Sequence, residues 1–360
     1  MFRPVAALSP CDFSPEESFL TQLDAQGAFQ FYDDPKKDNL NNTFTGNVEA
    51  NFTWLRDSAL IGYRVDGSAQ AEFNPGKSFT KIQSTGGFKL FIAGDQFIVG
   101  AADLSGTIDL APEFTTSMIV DVTGGMGLGR FRDVTPLAKA IRLQNTFLDE
   151  GVLQGPLTDD KLQEVAQILG FHGLTLAERI ERLGKAIEVT GLPAGGNLGP
   201  RALLEMEDLI SAQGEARLCG WEFQASGGLN LNNLPPTDAH GTLVLNWNYA
   251  IVPDPVTQWM ASARLDTSLS LFSRYSVRAS VSKVQRLSDN LRVRFTYDFS
   301  RTPAKDPDIP TFIDRHQFTG TIFFQLTNQL SLSINGELAH ETGYEEMSKR
   351  LSIQLNYDIF

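Results

Sequence analysis

Charged side chains recur at the polar positions of the carboxy-terminal third, where polar and apolar residues alternate. Side chains of both signs that face one cavity generate a transverse electric field, which orders water and selects among solutes. The same charges could instead form ion pairs that fill a closed interior, and the sequence leaves both interpretations open. The residues expected to line such a cavity are Arg264, Asp266, Arg278, Arg292, Arg294, Asp298, Glu337 and Asp358.

The histidines do not form a recognisable metal or catalytic motif. His172, His240, His316 and His340 are far apart in the sequence and have no Cys or His at ligand spacing. A transition-metal site needs three or four clustered ligands, so we expect no metal and no cofactor. No serine stands two residues from His240 or His340, and a nucleophile–base–orienter set is missing. We therefore expect a protein that is not an enzyme.

Two further motifs have a structural interpretation and a functional one. GGMGLGR at 124–130 has the Gly-x-Gly spacing of a phosphate-binding loop, but the motif alone is weak. The segment continues an alternating strand pattern, so the glycines are expected to allow a bend or close packing at a barrel wall. Cys11 and Cys219 are too few for a disulfide-stapled fold or a structural zinc site. Leu8 to Cys11 only weakly resembles a lipid-attachment box, because proline precedes the cysteine. Lipidation of Cys11 is left open.

Alternation of apolar and polar residues is the dominant pattern along the chain. The segment LRVRFTYDFSR at 291–301 places Val293, Phe295 and Tyr297 on one face and charged or hydroxyl residues on the other. This period of two predicts an amphipathic strand. Similar segments recur from residue 25 to 131 and from 219 to the end. We predict about fourteen strands, within a range of about 12 to 16.

Residues 133–213 follow the helical period instead. Thr135 and Pro136 resemble an N-cap followed by proline, and Thr175 with Glu178 forms a capping box. Leu162, Val165 and Leu169 form an apolar stripe, and Pro200 opens a further helix. The sequence therefore predicts an all-β fold interrupted by a block of three or four helices. An insertion of about 80 residues far exceeds ordinary connections, which favours a dedicated role.

Composition excludes several classes of protein. The 360 residues are 42% hydrophobic and carry a net charge of −13, which argues against general nucleic-acid binding. No run of 18 apolar residues occurs, so a transmembrane helix is not expected. The apolar stretch at 5–8 is too short for a signal-peptide core of about 7–15 residues. Either the chain stays inside the cell, or Met1 begins a mature chain.

Long amphipathic strands suit a soluble sandwich or a membrane barrel. Sandwich strands average about five or six residues, whereas many segments here reach eleven, the length that crosses a bilayer. The sequence resembles the porin-like outer-membrane β-barrels of Gram-negative bacteria, through these strands and through the carboxy-terminal LSIQLNYDIF. Tyr357 and Phe360 in that ending resemble the assembly signal of the class. The alternating apolar set ends at Ile359, one residue out of step with Phe360.

This resemblance implies an antiparallel transmembrane β-barrel in the bacterial outer membrane, in contact with its lipid and with the barrel assembly machinery. It would be a channel for passive diffusion of small hydrophilic solutes, with helices that plug, gate or anchor it. The alternative is a closed barrel that docks a periplasmic protein or an envelope polymer such as peptidoglycan through 133–213. Assembly into a homo-oligomer is left open. The expected divisions are an amino-terminal segment (1–24), six strands (25–132), a periplasmic or luminal helical insertion (133–213) and eight strands (214–360).

Overall fold

In the computed structural model, fourteen strands form one antiparallel sheet, and each strand pairs with its neighbours in the sequence. The sheet closes into a barrel where β1 pairs with β14 between Asp24↔Asp358 and Gly27↔Leu355. The strands are β1 (Glu17–Tyr32), β2 (Thr43–Ser58), β3 (Ile61–Asn74), β4 (Lys77–Ala93), β5 (Gln96–Asp109), β6 (Thr115–Asp133), β7 (Leu218–Asn232), β8 (Asp238–Asp254), β9 (Thr257–Ser268), β10 (Leu271–Ser288), β11 (Leu291–Pro303), β12 (Phe312–Gln325), β13 (Leu330–Glu341) and β14 (Ser348–Asp358).

The structure describes most of the chain. The described residues are 8–15, 17–32, 43–74, 77–109, 115–171, 173–211, 216–232, 238–268, 271–288, 290–304, 312–327, 330–342 and 347–358. The predicted all-β antiparallel fold with a helical insertion is confirmed. β1 begins at Glu17, whereas the sequence analysis placed its start near residue 25. The earlier start arises because β1 pairs with the whole length of β2, from Glu17↔Ser58 onward.

The barrel carries its apolar side chains on the outside. In β14, Leu351, Ile353 and Leu355 are 75%, 63% and 49% exposed, and Phe295 in β11 is 48% exposed. Their sequence neighbours, such as Ser352, point to the other face, because successive side chains of a strand alternate. A sandwich would bury the apolar face against a second sheet. The sandwich alternative is therefore wrong.

Four helices connect β6 to β7: α1 (Thr135–Asp149), α2 (Asp159–Gly170), α3 (Leu176–Glu188) and α4 (Pro200–Ser211). The predicted capping box is present, since the hydroxyl of Thr175 accepts from the Glu178 backbone and the Glu178 carboxylate accepts from Thr175. Thr135 is not an N-cap as predicted, because the helix already includes it. Its hydroxyl instead accepts the backbone N–H of Arg217 at 2.7 Å.

The helices share a conventional hydrophobic core. Leu137, Phe147 and Leu183 are fully buried in it. Two barrel residues, Cys219 and Val252, and Phe13 of the amino-terminal segment belong to the same cluster. The helical domain therefore packs on the end of the barrel where β6 ends and β7 begins. None of the described helices has the length and apolar character needed to cross a membrane.

A disulfide fastens the amino-terminal segment to this end of the barrel. Cys11 is bonded to Cys219 of β7, with a Cα–Cα distance of 5.4 Å. The sequence analysis expected no disulfide framework and left lipidation of Cys11 open. The disulfide occupies the Cys11 thiol, so lipidation of that thiol is excluded in this structure. The 208-residue separation of the two cysteines gave the sequence no sign of their contact.

Candidate functional site: the barrel lumen

The lumen is lined by the polar face of the strands. Each predicted lining residue whose side chain is described lies on this face, opposite the exposed apolar residues. These residues are Arg264 and Asp266 in β9, Arg278 in β10, Arg292, Arg294 and Asp298 in β11, and Glu337 in β13. Asp358 pairs through its backbone with Asp24, but its side chain lies outside the described set. Tyr357 pairs through its backbone with Leu330, and Phe360 lies outside the described residues, so the assembly signal stays a prediction.

Arginines line up across neighbouring strands on one side of the lumen. Arg264 pairs directly with Arg278, which pairs with Ser300, and Ser300 pairs with Arg315 of β12. Like charges on directly opposed positions destabilise a sheet. The carboxylate of Asp266 offsets this repulsion, since it accepts from the Nε of Arg264 at 2.8 Å. We call this row (Arg264, Arg278, Ser300 and Arg315) the basic wall.

The sequence analysis missed a row of carboxylates on the other side of the lumen. Asp66 of β3 pairs with Thr85 of β4, Thr85 pairs with Asp103 of β5, and Asp103 pairs with Asp121 of β6. Thr53 donates to Asp66 at 2.9 Å. We call this row (Asp66, Thr85, Asp103 and Asp121) the acidic wall. Each aspartate occupies a polar position of an alternating segment, but only the strand register shows that they align.

The two walls face each other across the barrel. The acidic wall occupies β3 to β6 and the basic wall occupies β9 to β12. The separation between the two walls around the fourteen-stranded sheet is therefore close to half of its circumference. A cavity of about 520 Å³ is lined by residues from both, including Asp66, Asp103 and Arg264. Opposed rows of charge produce an electric field across the lumen.

An ion pair and two hydrogen bonds also cross the lumen near the helical domain. Lys89 of β4 pairs with Glu222 of β7, which is only 5% exposed, so the contact passes over β5 and β6. Arg130 of β6 donates to the carbonyls of Ser58 and Ala59 at 3.2 and 3.1 Å, past β3 to β5. The guanidinium carbon of Arg130 also lies 3.6 Å from the centroid of the Phe91 ring. These contacts reduce the open cross-section at this end.

The described residues contain no group of three or more metal-ligating side chains. Two of the histidines nevertheless meet, because His316 of β12 pairs directly with His340 of β13. The ring of His316 lies beside Tyr297, whose hydroxyl is 2.7 Å from Nδ1. These residues belong to the outer face and do not contribute to the lumen. His316 and His340 are 24 positions apart in the sequence, so the sequence alone did not predict their pairing.

No protein-family model and no curated protein matches the sequence. Several solved structures match it distantly. The outer membrane protein OprD of Pseudomonas aeruginosa has a TM-score of 0.32 at 7% identity, over 97% of this chain and 95% of that one. A BenF-like porin from Pseudomonas fluorescens has a TM-score of 0.33 at 6% identity, over 96% and 98%. BamA from Haemophilus ducreyi has a TM-score of 0.34 at 8% identity, over 96% and 70%.

Proposed function

We propose that this protein is an outer-membrane channel through which small hydrophilic solutes diffuse passively. The observation that carries the proposal is the inverted distribution of its side chains: a polar lumen with opposed charged walls, inside a barrel whose outer face is apolar. A fourteen-stranded barrel lies between small barrels filled by side chains and porins of 16–18 strands that hold an aqueous channel. The cavity of about 520 Å³ supports a water-filled path.

The outer face supports a position in a bilayer. The strands are 11 to 19 residues long, and a tilted strand needs about 9–11 residues to cross the hydrocarbon. Exposed aromatic side chains collect towards the helical-domain end of neighbouring strands, as expected for an interfacial girdle. They are Trp221, Phe223, Trp247, Tyr249 and Trp259.

The connections between strands support a periplasmic helical domain. At the helical end, the other turns between strands contain two to four residues, whereas at the opposite end they contain up to ten. Outer-membrane barrels have short periplasmic turns and longer extracellular loops. The disulfide between Cys11 and Cys219 also fits an oxidising compartment such as the periplasm. The helical domain would then lie at the periplasmic mouth of the channel.

The test is conductance in planar lipid bilayers. Purified protein in detergent should insert and produce discrete current steps, and its unheated form should migrate differently from the boiled form on a detergent gel. Protein that shows this heat-dependent mobility, and is therefore folded, but gives only silent bilayers would contradict the channel.

The second candidate function is a closed barrel that docks a periplasmic partner. The cross-lumen contacts of Lys89 with Glu222 and of Arg130 with Ser58 and Ala59 favour it, because they fill part of the lumen. Glu222→Gln removes the charge that holds Lys89, and Arg182→Gln on the exposed face of α3 is the control. Larger current steps from Glu222→Gln than from wild type would identify the pair as a constriction in an open channel. Silence from wild type, Glu222→Gln and Arg130→Gln alike would favour the closed barrel.

A further inference from the structure

The cavity in the lumen, of about 520 Å³, holds most of its charged side chains in ion pairs. These pairs are Arg56 with Glu17, Arg64 with Asp66, Lys89 with Glu222, Arg130 with Asp57 and Arg264 with Asp266. Asp133 accepts a hydrogen bond from Thr135. Asp103 differs, because it forms neither a hydrogen bond nor an ion pair with another described residue. One carboxylate of the cavity is therefore available to a solute.

Two threonine hydroxyls lie beside this carboxylate. Thr85 pairs directly with Asp103, and Thr123 lies diagonally across from it, because Thr123 pairs with Ala101. All three side chains line the cavity, and neither hydroxyl has a hydrogen-bond partner among the described residues. Gly87 pairs with Ala101, so the positions next to the three acceptors carry at most a methyl group. The wall therefore has a shallow recess with three oxygen acceptors at its edge.

Three acceptors of this kind match a primary ammonium group. An ammonium has three N–H donors and no acceptor. Its hydrogen bonds to a carboxylate are about twice as strong as those between neutral groups. Asp121, the other neighbour of Asp103, adds negative charge, although it already accepts from the amide of Asn230. The recess therefore favours a cationic amine over an anion.

Arg264 presents the opposite charge to the same cavity. Asp266 accepts from Nε of Arg264 at 2.8 Å and from Nη2 at 2.7 Å. The remaining nitrogen, Nη1, has no acceptor in the part of the chain that the structure describes. Asp103 and Asp121 both attract the charge of Arg264, so the guanidinium lies within electrostatic reach of the recess. A carboxylate can accept from Nη1 while an ammonium of the same molecule occupies the recess.

We propose that the cavity binds a small zwitterion that carries its ammonium and its carboxylate at opposite ends of a short chain. Asp103, Thr85 and Thr123 hold the ammonium, and Nη1 of Arg264 donates to the carboxylate. The two charges of the solute are separated, because the recess and Arg264 belong to opposed walls of the lumen. A zwitterion with adjacent charges reaches only one of them.

The rest of the cavity suits the chain between the two charges. Neutral hydroxyl and amide side chains of β8 to β10 complete the lining: Asn246, Asn248, Ser262, Ser280 and Ser282. The volume lies within the range of about 300–1,000 Å³ that is usual for small-molecule sites. This inference names a class of solute for the channel, and in that respect it rests on the proposed function. Binding itself is measured independently of conductance.

The experiment is calorimetric titration of the full chain in detergent with γ-aminobutyrate, whose two charges stand at the ends of its chain. The isomer α-aminobutyrate has the same atoms but adjacent charges, and butylamine lacks the carboxylate. We expect saturable binding of γ-aminobutyrate, with one site per chain, and weaker binding of both other probes. Absence of saturation up to about 50 mM, or equal affinity for γ-aminobutyrate and either other probe, would overturn the proposal.

Asp103→Asn tests the ammonium end of the site. It keeps the size of the side chain and removes its charge, so γ-aminobutyrate and butylamine should both bind about tenfold more weakly or worse. Asp298→Asn removes the same charge from the luminal face of β11, outside the cavity, and should leave both affinities unchanged. Equal losses in the two variants would mean that only the net charge of the lumen matters, which contradicts a defined site.

Arg264→Gln tests the carboxylate end. It should weaken the binding of γ-aminobutyrate and leave that of butylamine unchanged, because butylamine has no group for Nη1 to bind. Heat-dependent gel mobility shows whether the variant has folded. A folded Arg264→Gln variant that binds γ-aminobutyrate as tightly as wild type would remove Arg264 from the site and overturn the proposal.

Bilayer recordings separate this inference from the channel itself. γ-Aminobutyrate should reduce the ionic current of wild type more than that of Asp103→Asn. A channel that conducts but binds no γ-aminobutyrate would contradict only the zwitterion site. A protein that binds γ-aminobutyrate and never conducts would contradict only the channel.

Discussion

The barrel and the helical domain distribute the same kinds of residue in opposite ways. In the helical domain, Leu137, Phe147 and Leu183 are fully buried, as in any water-soluble domain. In the barrel, Met126 and Leu351 are 70% and 75% exposed, while polar side chains face inward. The helical domain thus has an apolar interior, whereas the barrel has an apolar outer face and a polar lumen. Both distributions occur in one chain, so the contribution of an apolar residue to stability depends on which surface it faces.

The largest expected effect tests this contrast with one type of substitution. Leu183→Ala should lower the free energy of unfolding by about 2–5 kcal/mol, because it opens a cavity in a packed core. Leu351→Ala removes the same atoms from a side chain that is 75% exposed, so it should cost well under about 1 kcal/mol. Thermal unfolding in detergent, followed by circular dichroism, measures both. Equal losses would mean that Leu351 is buried in the assembled protein.

The sequence predicted this contrast well where one periodicity governs a whole element. Alternation alone predicts that the apolar residues of β11 and β14, including Phe295, Ile353 and Leu355, share one face. Strand length and the resemblance to outer-membrane barrels then predicted that this face points outward. The capping box at Thr175 and Glu178 is equally local, because its two partners are three residues apart. Local signals of this kind survive folding since the backbone fixes their geometry. The basic wall on β9 to β12 could be predicted only in part from the sequence, through its alternating polar positions.

The second prediction reverses the substitution and uses neighbouring residues of β14. Ile353→Arg places a charge on the outer face near the middle of the strand, where it should cost about 2–4 kcal/mol in a bilayer. Ser352→Arg places the same charge on the polar luminal face, where Ser352 pairs with Asn335, and should be tolerated. Folding into lipid vesicles, measured by heat-dependent gel mobility, compares the two. Better folding of Ile353→Arg than of Ser352→Arg would contradict the assigned faces.

Contacts between distant segments account for what the sequence did not reveal. The acidic wall depends on the pairing of Asp103 with Asp121, and the cross-lumen contact joins Lys89 to Glu222. The disulfide joins cysteines 208 positions apart. Each contact depends on strand register or on the docking of the helical domain. Neither is encoded in the period of a single segment.

The third prediction concerns the connection between the two regions. Replacing Cys11 and Cys219 together by serine should destabilise the protein by about 2 kcal/mol, because the amino-terminal segment then gains conformational freedom before folding. On heating, the helical circular-dichroism signal should be lost at a lower temperature than the signal of the barrel. This is expected since the disulfide holds Phe13 near the helical core. Reduced wild type is the control and should behave like the double variant. Coincident loss of both signals would show that barrel and helices unfold as one unit.

The smallest expected effect isolates a single helix end. Thr175→Ala removes the hydroxyl that accepts the Glu178 N–H, and an N-cap of this type contributes about 1 kcal/mol. Thr302→Ala, at an exposed position near the end of β11, should have no measurable effect on the same unfolding curve. The difference separates local capping, which acts within a few residues, from the strand pairing that stabilises the barrel. Equal losses in the free energy of unfolding would mean that the capping box adds no stability. The stability of α3 would then depend only on its packing through Leu183 and Ile187.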